Sequence, residues 1–339
     1  MPGLPFLTPI QDELEQVEHL LRRPPPDTYA AIGEALTHLI DSGGKRIRPA
    51  LVLLSARLCG AGLERALFAA AAVEMLHTAT LVHDDLIDGA MVRRGRRTLN
   101  ATCSPAVTVL TGDYLFAYAA CLASQTDNAR LMRRFAETLM IICQGEVRQM
   151  SGERSRRFSY QEYEQRIYAK TASLISLSAE AGAILASSDE RVIQAMRLYG
   201  KHLGLAFQIV DDVLDFTADE QTLGKPVGSD LRQGLFTLPF LLFIESDPQH
   251  PVALRALEGH YTAEALGVSR LPDEAVREAV QAVVESRAIE RAMEIAGRHI
   301  EWAKEALGST ALSPFTGDAG RDYLAALLEL ADFIVRRHF

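Results

Sequence analysis

Apolar residues recur along most of this chain with the period of an α-helix, and no segment shows the strict alternation of a strand. Ile10, Leu14, Val17 and Leu21 follow Thr8-Pro9-Ile10-Gln11, which reads as a capping box with proline at the first helical position. Pro24-Pro25-Pro26 ends that helix. A second helix is predicted from about Thr28 to Ile40, stopping at Gly43-Gly44, and Pro49 can open a third. Ala66 to Asp88 is apolar nearly all round, which predicts a central, buried helix. Further helices are predicted near 105–125, 128–151, 160–186 and 189–217, from Leu235–Ile244 beside Pro239, and near 273–307 and 318–336. There is no repeat at a fixed period and no break in composition, so the simplest organisation is one all-α domain over 1–339.

Composition narrows the classes. A hydrophobic content of 48% is ample for a core, and a net charge of −9 argues against nucleic acid and anionic membranes as partners. Cys59, Cys103, Cys121 and Cys143 show no paired spacing and read as reduced thiols. No apolar run reaches the length of a membrane span, and no basic segment followed by an apolar core opens the chain. The expectation is a cytoplasmic protein without stable membrane insertion.

Two copies of one acidic pattern carry the first chemical signal. Asp84-Asp85-Leu86-Ile87-Asp88 and Asp211-Asp212-Val213-Leu214-Asp215 both read DDxxD, each near the C-terminal end of an apolar helical stretch. Asp84 and Asp88 share a helix face, as do Asp211 and Asp215. A single copy would read as a solvated face. Two copies so placed suggest a diphosphate bridged to protein by magnesium, which takes carboxylates, water and phosphate oxygens.

Basic residues supply the second signal. In Ser42-Gly43-Gly44-Lys45-Arg46-Ile47-Arg48-Pro49, three cations lie between glycines and a proline that define a turn. That is either a solvated helix start or a place where backbone and cations approach a phosphate. Arg93, Arg94, Arg96 and Arg97 follow the first acidic motif; Arg93 and Arg94 are near enough to reach the same ligand, whereas Arg96 and Arg97 read as solvated. His77 lies seven residues before Asp84 on the same stripe, about 10 Å away; it is either a satisfied core histidine or a ligand contact. Gln208 precedes Asp211 by three residues. Lys170-Thr171, and Lys225 among glycines in a loop that could close over a site, are further phosphate-contact candidates.

Taken in order, these motifs resemble those of the trans-isoprenyl diphosphate synthases (polyprenyl synthetases), over residues 43 to 239, and the C-terminal helices are similar too. The resemblance implies an all-α, single-domain helical bundle around a deep central cavity, usually homodimeric. It implies head-to-tail condensation of isopentenyl diphosphate with an allylic diphosphate (geranyl, farnesyl or geranylgeranyl). By that match, Asp84, Asp88 and Asp211 hold a cluster of about three Mg²⁺ ions, with Asp85, Asp212 and Asp215 supporting. Arg93, Lys170, Thr171, Gln208 and Lys225 grip the allylic diphosphate. Lys45, Arg48, His77 and Arg94 bind isopentenyl diphosphate. The residues expected to carry the chemistry itself are Asp84, Asp88, Asp211, Lys170 and Lys225. Leu235 departs from the family, where many relatives carry lysine; Arg232 is the candidate to compensate.

Product length should depend on what lies beneath the first acidic motif. Relatives that stop at farnesyl length often carry an aromatic residue five positions before it. Here that position is Ala79, followed by Thr80, with Leu76 and Ala72 further back. The run from Thr78 to Asp85 resembles longer-chain synthases, which predicts a product beyond farnesyl and beyond geranylgeranyl. Tyr114, Phe116 and Tyr118 on a later helix are alternative floors. Three other readings compete: a geranylgeranyl diphosphate synthase, a class I terpene cyclase, and a partner subunit of a heteromeric prenyltransferase. A cyclase normally has a different second metal motif and needs no basic turn; partner subunits usually lose the aspartates, and all six are present.

Overall fold

The computed structural model describes residues 4–150, 159–186, 189–218, 226–265, 271–315 and 317–336. Helices dominate. In chain order they are α1 (Gln11–Leu21), α2 (Ala30–Asp41), α3 (Ile47–Cys59), α4 (Leu63–Ile87), α5 (Pro105–Ser124), α6 (Ala129–Met150), α7 (Tyr160–Ile167), α8 (Ser173–Leu185) and α9 (Glu190–Thr217). After these come α10 (Ser229–Arg232), α11 (Leu238–Ser246), α12 (Pro251–Ala265), α13 (Asp273–Glu285), α14 (Ala288–Leu307) and α15 (Asp318–Arg336). The all-α expectation holds.

Several local expectations are corrected. The capping box at Thr8 does not form: a 3₁₀ turn, Pro5–Ile10, begins there instead, with Pro5 at its start. α3 opens two residues before Pro49, on Arg46 in a left-handed conformation (φ 50°). The segment 160–186 is interrupted by one π-helical turn, Tyr168–Ala172. α12 and α10 were not foreseen, and 273–307 is two helices. A small hairpin, β1 (Val92–Arg93) with β2 (Arg96–Arg97), also breaks the strand-free expectation. Its turn residues Arg94 and Gly95 both have positive φ (51° and 74°), as a two-residue turn between antiparallel strands requires. Finally, α4 and α5 are each long and apolar enough to cross a membrane, contrary to the sequence expectation. Most of α4 is buried inside its own unit, which gives its apolarity a core explanation.

The described residues cluster into two compact units. The first comprises Met1–Met140, Leu174–Gly200 and Lys304–Leu330. α4 is its central helix, packed by α1, α3 and α5, and α3 is buried along nearly its whole length. The second comprises Ile141–Ser173, Lys201–Ala303 and Ala331–Phe339. Its core joins Tyr163 and Ile167 of α7, Leu205, Ile209 and Val213 of α9, Phe236 and Phe240, and Val276 and Val283 of α13. The first acidic motif and the basic turn fall in the first unit, and the second acidic motif and Lys170-Thr171 in the second.

Candidate active site

In the first unit, the acidic motif closes α4, with Asp88 as its C-cap. Carboxylates at a helix C-terminus face the negative end of its dipole, an arrangement that calls for cations nearby. Asp84 is half-buried and Asp88 exposed, whereas Asp85 is buried and accepts from Arg93 Nε at 2.7 Å. Burial raises the Asp85 carboxyl above its usual range, opposed by Arg93. Asp85 is thus held by Arg93, while Asp84 and Asp88 keep more solvent-accessible surface.

The hairpin and the glycine turn bring cations to the same end of α4. A small cavity of about 50 Å³ is lined by Gly43, Arg46, Glu74, His77, Asp85, Arg93 and Arg94, among others. His77 is pushed well below the usual histidine range, first by burial and then by the guanidinium groups of Arg48, Arg94, Arg93 and Arg46. It is therefore a neutral imidazole among four arginines. Arg94 donates to the carbonyl of Gly43, and burial together with Arg93 lowers its own pKa. Lys45 is exposed and Arg48 half-buried, on the same turn. Arg96 and Arg97 are exposed, as expected.

Sequence reasoning gave Arg46 no role. It is buried, donating through Nε to Glu18 and through Nη1 to Glu74 Oε1 at 2.9 Å. The available signal was Glu74 itself, a charge in an otherwise apolar helix three residues before His77.

In the second half of α4, His77, Thr80, Leu81, Asp84 and Ile87 keep accessible surface along one helical stripe that leads to the C-cap Asp88, with His83 and Leu86 half-buried beside it. Ala79, Leu76 and Ala72 lie in the closed core instead, Ala79 and Leu76 at 0% exposure. Thr80, with its hydroxyl donating to the His77 carbonyl at 2.7 Å, is the small residue on the open side. On α5, Phe116 packs against the His83 ring (centroids 5.2 Å), which lies over Gly112 where any side chain would collide with it. Tyr114 and Tyr118 are tied elsewhere: Tyr114 shares a hydrogen bond of 2.6 Å with Thr28, and Tyr118 donates to the Arg23 carbonyl at 2.8 Å.

In the second unit, the π-helical turn carries Lys170 and Thr171; such turns are recurrent at functional positions. Thr171 donates to Gln208 Oε1 at 2.6 Å, Gln208 donates to Asp212 Oδ1 at 2.9 Å, and Tyr163 donates to Asp212 Oδ2 at 2.7 Å. Burial pushes the Asp212 carboxyl up to about 7, with Asp230 adding to the rise and the Gln208 and Tyr163 hydrogen bonds opposing it. Asp215 is buried and accepts from the Asp230 amide at 3.1 Å, while Asp211 is half-buried. Lys170 is exposed and forms an ion pair with Glu146 at 3.7 Å. Lys225 lies outside the described residues.

Arg232, the candidate to stand in for the absent lysine at 235, is engaged by protein here. Its Nε donates to Asp273 at 2.8 Å, because α10 turns it toward the start of α13. Leu235 instead lines a cavity of about 440 Å³ with Tyr163, Arg148 and Arg166.

The donor set fits a hard divalent cation, since every exposed ligand candidate is a carboxylate oxygen. Among the described residues, no three His, Cys, Asp or Glu side chains converge as a ready-made metal cage. An ion here would take one or two carboxylates and complete its shell with water and phosphate oxygens, the usual manner for magnesium.

The comparisons agree with this chemistry. Residues 29–271 match the family model described as Polyprenyl synthetase. The chain is 37% identical over 332 residues to component 2 of heptaprenyl diphosphate synthase from Geobacillus stearothermophilus, covering 97% of each. It is 35% identical over 310 residues to octaprenyl diphosphate synthase from Haemophilus influenzae, covering 91% of this chain and 89% of that protein. Its fold superposes with a TM-score of 0.85, at 36% identity and over 98% and 97% of the two chains, on a Caulobacter crescentus polyprenyl synthase complexed with calcium and isoprenyl diphosphate. With paired acidic motifs, a cationic pocket and this degree of likeness along its length, the chain belongs to the polyprenyl synthetase family, the isoprenoid-synthase-type transferases of prenyl groups.

Proposed function

We propose that this enzyme condenses isopentenyl diphosphate head-to-tail with an allylic diphosphate, with magnesium as the metal, to give a trans-polyprenyl diphosphate longer than geranylgeranyl. The observation that carries the reading is the small pocket of the first unit that gathers His77 with Arg46, Arg93 and Arg94 beside Asp85 of the first acidic motif. Half-buried Arg48 and Arg93 and exposed Arg94, gathered on this turn and hairpin, favour a multiply charged anion such as a diphosphate.

In this reading Lys45, Arg48 and Arg94 bind the diphosphate of isopentenyl diphosphate, and neutral His77 offers it an N–H without adding charge. Asp84 and Asp88 in the first unit, and Asp211 in the second, present carboxylate oxygens to magnesium. Bound magnesium offsets the charge that develops on the departing pyrophosphate. Arg93, Lys170, Thr171, Gln208 and Lys225 hold the allylic diphosphate. Asp85 is kept in place by Arg93, and Asp212 by Tyr163 and Gln208. The allylic C1–O bond breaks, C4 of isopentenyl diphosphate bonds to that C1, and a C2 proton leaves to a pyrophosphate oxygen. No protein base is required.

The longer product is supported by the small residue Thr80 on the open side of α4 and by similarity to proteins named octaprenyl diphosphate synthase and heptaprenyl diphosphate synthase component 2. A homodimer is supported by the family resemblance and by exposed Val107, Val109 and Leu110 on α5. A second reading has one specific support, the relative named as one component of a two-component synthase; there a partner chain would be needed for activity.

The test is product analysis. Purified protein with Mg²⁺, farnesyl diphosphate and radiolabelled isopentenyl diphosphate should yield products longer than geranylgeranyl after dephosphorylation and reversed-phase chromatography. Products ending at geranylgeranyl would overturn the chain length. No elongation by the chain alone, with elongation restored by a second polypeptide, would favour the two-component reading.

A further inference from the structure

Arg46 has an unusual setting for a cation beside a phosphate pocket. It is 7% exposed, its backbone is left-handed (φ 50°), and it caps α3. A non-glycine residue in that conformation costs about 1 kcal/mol or more, so the surroundings must hold it there. They do so from three helices: Nε donates to Glu18 of α1, Nη1 to Glu74 of α4 at 2.9 Å, and Nη2 to the Ile40 carbonyl of α2 at 3.2 Å. Glu74 is itself buried. Two carboxylates against one guanidinium leave Arg46 no net attraction to offer a ligand.

Its geometry nevertheless reaches the pocket. A Cβ on Gly44 would lie 3.1 Å from Arg94 Nη1 and 3.2 Å from Arg46 Nη1, so both guanidinium groups lie against the same side of Gly44, and any side chain there would push on them. Arg94 also donates to the Gly43 carbonyl. Lys45 precedes Arg46 directly, and Arg48 follows two residues later. Whatever fixes Arg46 therefore fixes the direction of the cations on either side of it.

We propose that Arg46, braced by Glu74 and Glu18, is a positioning residue for the isopentenyl diphosphate pocket, orienting Lys45, Arg48 and Arg94 without binding the ligand itself. This rests on the proposed function, and it makes a prediction opposite to simple electrostatics. Removing the Glu74 charge should favour an anion if the carboxylate acts only by repulsion. It should weaken the anion if the carboxylate holds the turn.

The experiment compares wild type, Glu74→Gln, Glu18→Gln and Arg46→Lys. Isopentenyl diphosphate is titrated calorimetrically in EDTA, so that only metal-independent binding is read, and KM values and kcat are then measured with Mg²⁺. Glu74→Gln should weaken isopentenyl diphosphate binding and raise its KM about tenfold or more, the effect of leaving a buried charge poorly partnered. KM for farnesyl diphosphate and kcat at saturation should stay within about twofold. Arg46→Lys should fail to rescue, because an ammonium cannot span three fixed acceptors. Glu18→Gln, at a more exposed carboxylate, should show the same split more weakly and serves if Glu74→Gln does not fold. Unchanged or tighter binding in Glu74→Gln, wild-type behaviour in Arg46→Lys, or a parallel loss of both KM values and kcat would overturn the proposal. If wild type binds isopentenyl diphosphate but does not elongate, and Glu74→Gln still weakens binding, the proposed reaction fails while the positioning role stands.

Discussion

The Tyr163 hydroxyl lies 2.7 Å from Oδ2 of Asp212 and donates to it inside the second unit, on a side chain that is 2% exposed. The carboxylate needs that donor because burial and Asp230 both work against its charge. Tyr163→Phe should therefore destabilise the protein by about 1–2 kcal/mol, the cost of an unsatisfied buried acceptor. Urea unfolding reads this directly; an unchanged midpoint would mean that Asp212 finds another donor.

The first acidic motif makes the sharpest catalytic prediction. Asp84 stands on the open stripe of α4, and Asp84→Ala should lower turnover on the order of 10²–10³-fold. Radiolabel incorporation at saturating substrates is the measurement, and near-normal turnover would contradict the assignment of the motif to the metal.

Chain length can be tested at two adjacent positions with opposite expectations. Thr80 borders open space and Ala79 does not. Thr80→Tyr should shorten the product. Ala79→Tyr should instead overpack the core, costing about 1–3 kcal/mol and lowering Tm. Equal product distributions for wild type and Thr80→Tyr would move the floor of the cavity away from α4.

Acid sensitivity should arise partly from a histidine pair outside both acidic motifs, with His202 on α9 and His299 on α14. His202 and His299 share one hydrogen bond, Nδ1 to Nδ1 at 3.0 Å, and both pack against Trp302, the single tryptophan. Burial lowers each from 6.5 to about 4. A folded pKa below the unfolded value means stability is present above about pH 6.5 and lost as pH falls toward 4. Urea midpoints followed by Trp302 fluorescence should fall across that window. The fall should be shallower in His299→Gln, and an identical slope would assign the effect to other groups.

Helical periodicity and two acidic motifs were legible in the linear chain because helix formation and i, i+4 spacing are local. The positions of α4, α5, α6 and α9 could be read within a few residues, and Asp84, Asp88 and Asp211 could be named as candidate oxygen donors. The same local logic separated Arg93 and Arg94, near enough to reach a ligand of the acidic motif, from Arg96 and Arg97, which read as solvated, but it named no protein partner for either of the first two. Only the hairpin, with Arg94 in a left-handed turn, sets Arg93 on Asp85 and Arg94 on Gly43.

What the tertiary structure alone decided was partnership at long range. Arg46 meets Glu18 and Glu74, each 28 positions away, and Tyr163 meets Asp212, 49 positions away. No periodicity encodes such pairs, because they form when separate helices bury polar groups that must then find partners. The same holds for Thr80 facing open space while neighbouring Ala79 faces the core. Both are small residues in one apolar run, and only the packing of α1, α3 and α5 around α4 distinguishes their faces.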